Sequence, residues 1–207
     1  MNIDELQTGD ILLISNKEKG IFDYFLDMIR YGTHSDYVHI GIVLKDPDFL
    51  EKKLEGLFIW ESGFEGTPDP QDNKIKLGVQ VTEFNDFLSN YKDTNVKIFV
   101  RKFNHYNLFK SDKLKEIHQI AYNRPYDINP RDWIGALFNN DSHPQKTDRF
   151  WCSAFVGFVL TKLDILKSDT DWSIMKPCDF ALDGENLSYV DLDKAALLDI
   201  EFKLNLT

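Results

Sequence analysis

The segment with the least freedom in this chain is the apolar run Phe150-Trp151-Cys152-Ser153-Ala154-Phe155-Val156-Gly157-Phe158-Val159-Leu160. A helix that is hydrophobic all round has no face to give to water, so it must be enclosed by other elements. A spanning helix would need roughly 18 or more apolar residues in a row, and Thr161, Lys162 and Asp164 interrupt this one too early. The run is therefore expected to be a buried helix. Asp148 reads as its acidic capping residue, which places the Cys152 thiol in the first turn. A helix N-terminus favours a thiolate, yet cysteine is also among the residues most often buried as plain core. Both readings stand at this point.

The rest of the chain has to supply what encloses that helix. With 207 residues, 43% of them apolar and 14% aromatic, there is enough material for one well-buried core, and a single domain over 1–207 is expected. A formal net charge of −10 leaves little from which to assemble a basic face, which argues against nucleic acid or an anionic membrane as partner. Peripheral contact with other lipid remains compatible with it. Only Cys152 and Cys178 occur, too few for a disulfide framework and in keeping with a reducing compartment. The first residues are acidic where a secretory signal would be basic, and Ile11 to Ile14 is too short for its apolar region, so a soluble intracellular protein is the expectation.

Strand signals outnumber helix signals. Thr8-Gly9-Asp10 turns into a short strand at 11–14, and further strands are expected at 38–45, 57–63, 79–82, 96–101 and 198–204. Helical spacing appears at 21–30, 83–91 and 112–124, the last opened by Ser111 and stopped by Pro125, with another turn or two at 132–138. Residues 64–77, with two prolines and several charges, read as a long loop, either a lid or a solvated excursion. No repeat and no linker divides the chain.

A cysteine nucleophile needs a base, and Tyr37-Val38-His39-Ile40-Gly41-Ile42-Val43-Leu44 is a buried strand carrying one histidine. Alternation puts Val38, Ile40, Ile42 and Leu44 on one face and His39, Gly41 and Val43 on the other, with Gly41 leaving room beside the imidazole. A ring buried there must find hydrogen-bond partners or line a cleft. Glu61, on the next expected strand, is the candidate to orient it. Tyr126, in Arg124-Pro125-Tyr126-Asp127, either lines the cleft or only packs on the end of a helix. Metal-ligand spacing, phosphate-binding glycine loops and the Gly-x-Ser-x-Gly elbow are all missing, so neither a metal nor a cofactor is expected. His105, His118 and His143 fall in segments that read as surface helix or loop.

Four stretches in order, Thr8-Gly9-Asp10-Ile11-Leu12, Ser35-Asp36-Tyr37-Val38-His39-Ile40-Gly41-Ile42-Val43, Arg124-Pro125-Tyr126-Asp127 and Phe150-Trp151-Cys152-Ser153, resemble the circularly permuted papain-like group of the NlpC superfamily, which includes the YiiX-like hydrolases. The resemblance spans residues 8 to about 160 and implies an α+β fold. In it an antiparallel sheet or barrel carrying the histidine packs against a helix carrying the cysteine, with histidine first in sequence. It implies a core over about 8–165 with a C-terminal extension over about 166–207 as a cap. It also implies Cys152 as nucleophile, His39 as base and Glu61 as third residue, with Tyr37 or Tyr126 as second oxyanion donor or pocket wall. The activity implied is cleavage of an amide, whether peptide or isopeptide, or of a related acyl bond through an acyl-enzyme. Lipid acyl transfer or thioester cleavage on the same core is the alternative, and a non-catalytic binding module the third. A retinol-acyltransferase-like relative would carry a second histidine and an Asn-Cys-Glu-His type segment. Here Glu61 and Trp151-Cys152-Ser153-Ala154 stand instead, which favours the YiiX-like branch.

Overall fold

The computed structural model describes residues 1–15, 36–91, 96–104, 106–128, 147–182 and 197–205. The helices expected at 21–30 and 132–138, together with His105 and His143, lie outside the described residues. Six strands form one antiparallel sheet: β1 (Ile11–Ser15), β2 (Tyr37–Lys45), β3 (Leu57–Gly63), β6 (Gly78–Glu83), β7 (Lys97–Phe103) and β8 (Leu197–Lys203), in the order β6-β3-β2-β1-β7-β8. A separate two-stranded ribbon, β4 (Pro68–Asp69) with β5 (Lys74–Ile75), lies between β3 and β6 in the chain. Among the described residues the α-helices are α1 (Phe84–Ser89), α2 (Ser111–Ala121) and α3 (Cys152–Lys162). The result is a mixed α+β architecture built on an antiparallel sheet, in which strands outnumber helices as their signals do in the sequence.

Both faces of the sheet are covered, which is why its central strands read as nearly continuous apolar runs. On one face Ile11, Leu13, Ile40, Ile42, Leu44 and Trp60 pack against Phe155, Val156, Val159 and Leu160 of α3 and against Leu114 and Ile117 of α2. On the other, Leu12, Ile14, Val43, Ile59 and Ile98 pack against Leu6 and against Phe84 and Phe87 of α1. The apolar run that opened the sequence is the buried helix it was expected to be, with every residue from Cys152 to Leu160 buried. Its cap differs from expectation. Asp148 pairs with Arg149, and Trp151 takes the N-cap position with no side-chain capping bond, so the helix starts at Cys152 itself. Ser111 likewise is the first residue inside α2, its hydroxyl donating to Asp48 at 2.5 Å, and Lys110 is the N-cap.

The 64–77 segment carries the β4–β5 ribbon and, although about half of its residues are exposed, it is anchored from within. Fully buried Asp69 organises it, accepting from the backbone N–H of Gln71 and Val81 at 2.9 and 3.1 Å and from Lys76 at 2.7 Å. Lys76 also reaches Asp72 at 3.1 Å and lies 4.6 Å over the Tyr122 ring, which ties the ribbon to the end of α2. The last part of the chain is no appended cap. Trp172, Met175 and Phe180 fill the α3 side of the core, and β8 pairs with β7 as an edge strand of the sheet.

Candidate active site

Cys152 is the first residue of α3, and four hydrogen bonds fix where that helix begins. The Ser62 hydroxyl on β3 donates to the Phe150 carbonyl at 2.6 Å, and the Phe150 N–H donates to the Pro125 carbonyl at 3.1 Å. The Ser153 hydroxyl and the Trp151 indole N–H both donate to the Met175 carbonyl, at 2.6 and 3.3 Å. With no side-chain cap, the first-turn N–H groups of α3 stay available to a developing negative charge.

The Cys152 side chain lies beside His39, close enough for it to act on the charge of the ring. The local backbone explains its aim. Ile14 of β1 pairs with His39, but Ser15 pairs with Tyr37, so Val38 is an extra residue on β2. Such a bulge bends a strand and re-aims the side chains on either side of it. It also breaks the alternation assumed for Tyr37. That ring packs edge-on to Phe99 with 5.8 Å between centroids, on the α3 side of the sheet, and its hydroxyl donates to Glu201 on β8. Gly41 does not make room for the imidazole, as the alternation suggested. A Cβ there would lie 2.7 Å from Ile59 Cγ2 and 3.4 Å from Glu61 Cβ, so it is those side chains that need the gap. The glycine against the ring is Gly63, where a Cβ would come within 3.1 Å of His39 Cε1.

Glu61 is fully buried on β3, and its Oε2 is hydrogen-bonded to His39 Nε2. Its other oxygen accepts from the Thr82 hydroxyl on β6 at 3.0 Å, so the carboxylate is held at both ends. Burial by itself disfavours a charged imidazole. The adjacent Cys152 side chain and the hydrogen bond to Glu61, with the charges of both, outweigh it and raise His39 well above the ordinary histidine value. The ring is thus held as an imidazolium between a sulfur and a carboxylate. Tyr126 completes the group, its phenol beside the Cys152 side chain and backbone N–H. Burial first, then the charges of Cys152 and Asp127, push the phenol well above its usual value, so it stays a neutral donor. Two strand-like contacts place it: its own N–H donates to the Leu77 carbonyl at 3.1 Å, and the Arg124 carbonyl before it accepts from Val79 at 2.8 Å. Gly78 allows this approach, since a Cβ there would stand 2.2 Å from the Arg124 oxygen.

The sequence reading missed several neighbours. Thr82, Ser62 and Ser153 are small hydroxyl residues with no motif to mark them. Glu65 was hidden in a segment read as loop; it lies with His39 and Glu61 so that one donor atom from each falls within 4.8 Å of the others, the one group among the described residues with spacing that could hold a cation. No motif marks that trio either. His118 is not a surface residue. It is buried on α2, packed near Phe49 and Trp60, with Nε2 2.6 Å from the Gln71 side-chain oxygen, and burial pulls its pKa down. Cys178 is partly exposed and is a free thiol, as is Cys152. Among the described residues no helix is long and apolar enough to cross a membrane. No family model matches the chain, and no curated protein matches it either.

Proposed function

We propose that this protein is a cysteine-dependent hydrolase of the permuted papain-like type, cleaving an amide or a related acyl bond through an acyl-enzyme. The observation that carries the reading is the row Cys152, His39, Glu61, in which a buried carboxylate is hydrogen-bonded to a histidine that lies beside the side chain of the first residue of a buried helix. In the proposed mechanism the Cys152 thiolate attacks the carbonyl carbon. The oxyanion that forms is met by the Cys152 N–H and by the neutral Tyr126 hydroxyl, and Tyr126 is preferred over Tyr37 because it is the tyrosine beside Cys152, whereas the Tyr37 hydroxyl donates to Glu201. His39, as imidazolium, gives its proton to the leaving group, then takes one from water as the thioester is hydrolysed, with Glu61 fixing the ring and offsetting its charge. The test is selective alkylation at pH 7. Cys152 should react much faster than Cys178, and His39→Ala should remove the difference; equal rates for both thiols in the unaltered protein refute the reading.

Acyl transfer or thioester cleavage on the same site draws support from a separate observation. Phe64 directly follows Gly63, Leu77 is the residue whose carbonyl holds Tyr126, and Ile128 lies two residues beyond Tyr126, and all three are more than half exposed, at 55%, 54% and 65%. Exposed apolar side chains on the segments that carry Gly63 and Tyr126 suit an acyl or other apolar group on the substrate. Mass spectrometry after incubation with acyl-donor lipids separates the two: a stable acyl adduct on Cys152 favours transfer, and its absence with turnover of peptide probes favours amide hydrolysis.

A further inference from the structure

We propose that Glu65 is a positioning residue for the His39 imidazolium, a second carboxyl behind the ring that works together with Glu61; this rests on the hydrolase reading above. One oxygen of Glu65 lies within 4.8 Å of both the His39 ring nitrogen and a Glu61 oxygen. The side chain is held there from the end of α1, where the Asn90 amide donates to Glu65 Oε2 at 2.8 Å and to the Glu65 backbone carbonyl at 3.1 Å. One amide that holds both the carboxylate and the backbone carbonyl of the same residue places that side chain, rather than merely leaving it nearby.

The groups that face it decide what it does. From β3 comes Glu61, from β2 His39, and from the chain after α1 come Asn90 and Tyr91, while Cys152 lies on the His39 side of the group. Tyr91 is neutral, its phenol raised by burial and then by the charges of Glu65, Glu61 and Cys152. In the reactive state the site therefore sets three anions, the Cys152 thiolate and two carboxylates, around one imidazolium. Glu61 is saturated by His39 and Thr82, whereas Glu65 has only the Asn90 amide as hydrogen-bond donor to its carboxylate among these groups. Burial first, and then the Glu61 charge, push Glu65 up to about 7. Near neutral pH Glu65 is thus the carboxyl that gains or loses a proton, and with it the negative charge that keeps His39 protonated.

The test follows the His39 ring by NMR in protein labelled at histidine, alongside alkylation of Cys152. Glu65→Gln should lower the pH at which His39 loses its proton by about one unit, the size expected for removing one charge about 5 Å away in a partly wet site. Glu65→Asp, which keeps the charge, should hold the midpoint closer to the original. A shift below about 0.2 units in the Gln variant, with the fold intact by thermal melting, overturns the assignment. The two readings fail separately. Equal alkylation of Cys152 and Cys178 refutes the hydrolase, while an unmoved His39 midpoint beside a fast Cys152 refutes only the role of Glu65.

Discussion

Two buried acid–histidine regions flank the same pair of strands and end in opposite states. Around Glu61 and His39, a fully buried carboxylate faces an imidazole, and the ring is held charged. Around Asp69 and His118, an equally buried carboxylate is answered by Lys76 and by backbone N–H groups, and the histidine, whose partner is the Gln71 amide, is held neutral. The difference lies in who supplies the cation. A lysine brings a permanent one, and the cluster becomes a fixed brace between the ribbon and α2. Where the only cation available is a histidine, the charge comes and goes with a proton, and the cluster can do chemistry.

Substitutions at matching positions sharpen that contrast. Cys152→Ala should remove all acyl-enzyme chemistry, a loss of at least about 1,000-fold read with an acyl or peptide probe, with little change in melting. Glu61→Gln should lower Cys152 alkylation at pH 7 by about tenfold or more, since the ring loses the charge that keeps it protonated. Asp69→Asn should do the reverse, costing about 3 kcal/mol in chemical denaturation by taking from Lys76 the nearer of its two carboxylates, while Cys152 reacts as before. If Asp69→Asn slows the thiol as much as Glu61→Gln does, the division between brace and reaction centre is wrong.

Smaller effects come from Gly63 and Glu65. Gly63→Ala puts a methyl 3.1 Å from the His39 ring and should slow alkylation several-fold while leaving the melting temperature within a few degrees. Glu65 holds its proton more tightly folded than unfolded, so folding stability is greatest below the ordinary carboxylate value and falls as pH rises from there to about 7. Glu65→Gln should therefore gain on the order of 1–2 kcal/mol over the original at pH 8 and nothing at pH 5, as read by denaturant melts.

Much of this was legible in the residues, and the part that was not has a physical cause. Period and composition located the strands at 57–63 and 37–45 and the buried helix after Trp151, because burial on both faces leaves little ambiguity. They failed at Tyr37, where one inserted residue reverses a face and no side chain announces it. They failed again at 64–77, whose charges looked solvated but serve one buried aspartate, a partnership visible only once Lys76 and Val81 are brought to it. Cys152, His39 and Glu61 could be named from their residue types; Glu65, Thr82 and Gly63 could not, since their parts depend on distances across strands.

The pairing of Cys152 with His39 has a consequence for how the protein comes into being. The two residues are far apart in sequence, and the helix start that carries the sulfur is pinned through Phe150, Ser62 and Met175, contacts drawn from three separate stretches of chain. Long-range contacts of this kind form late. If Cys152 is the nucleophile proposed here, a nascent or partly collapsed chain carries an ordinary thiol, and the reactive one appears only when sheet and helix have docked. The rate at which Cys152 takes up a small alkylating reagent becomes a clock for the final step of assembly, one that needs no substrate and can be read in a refolding mixture.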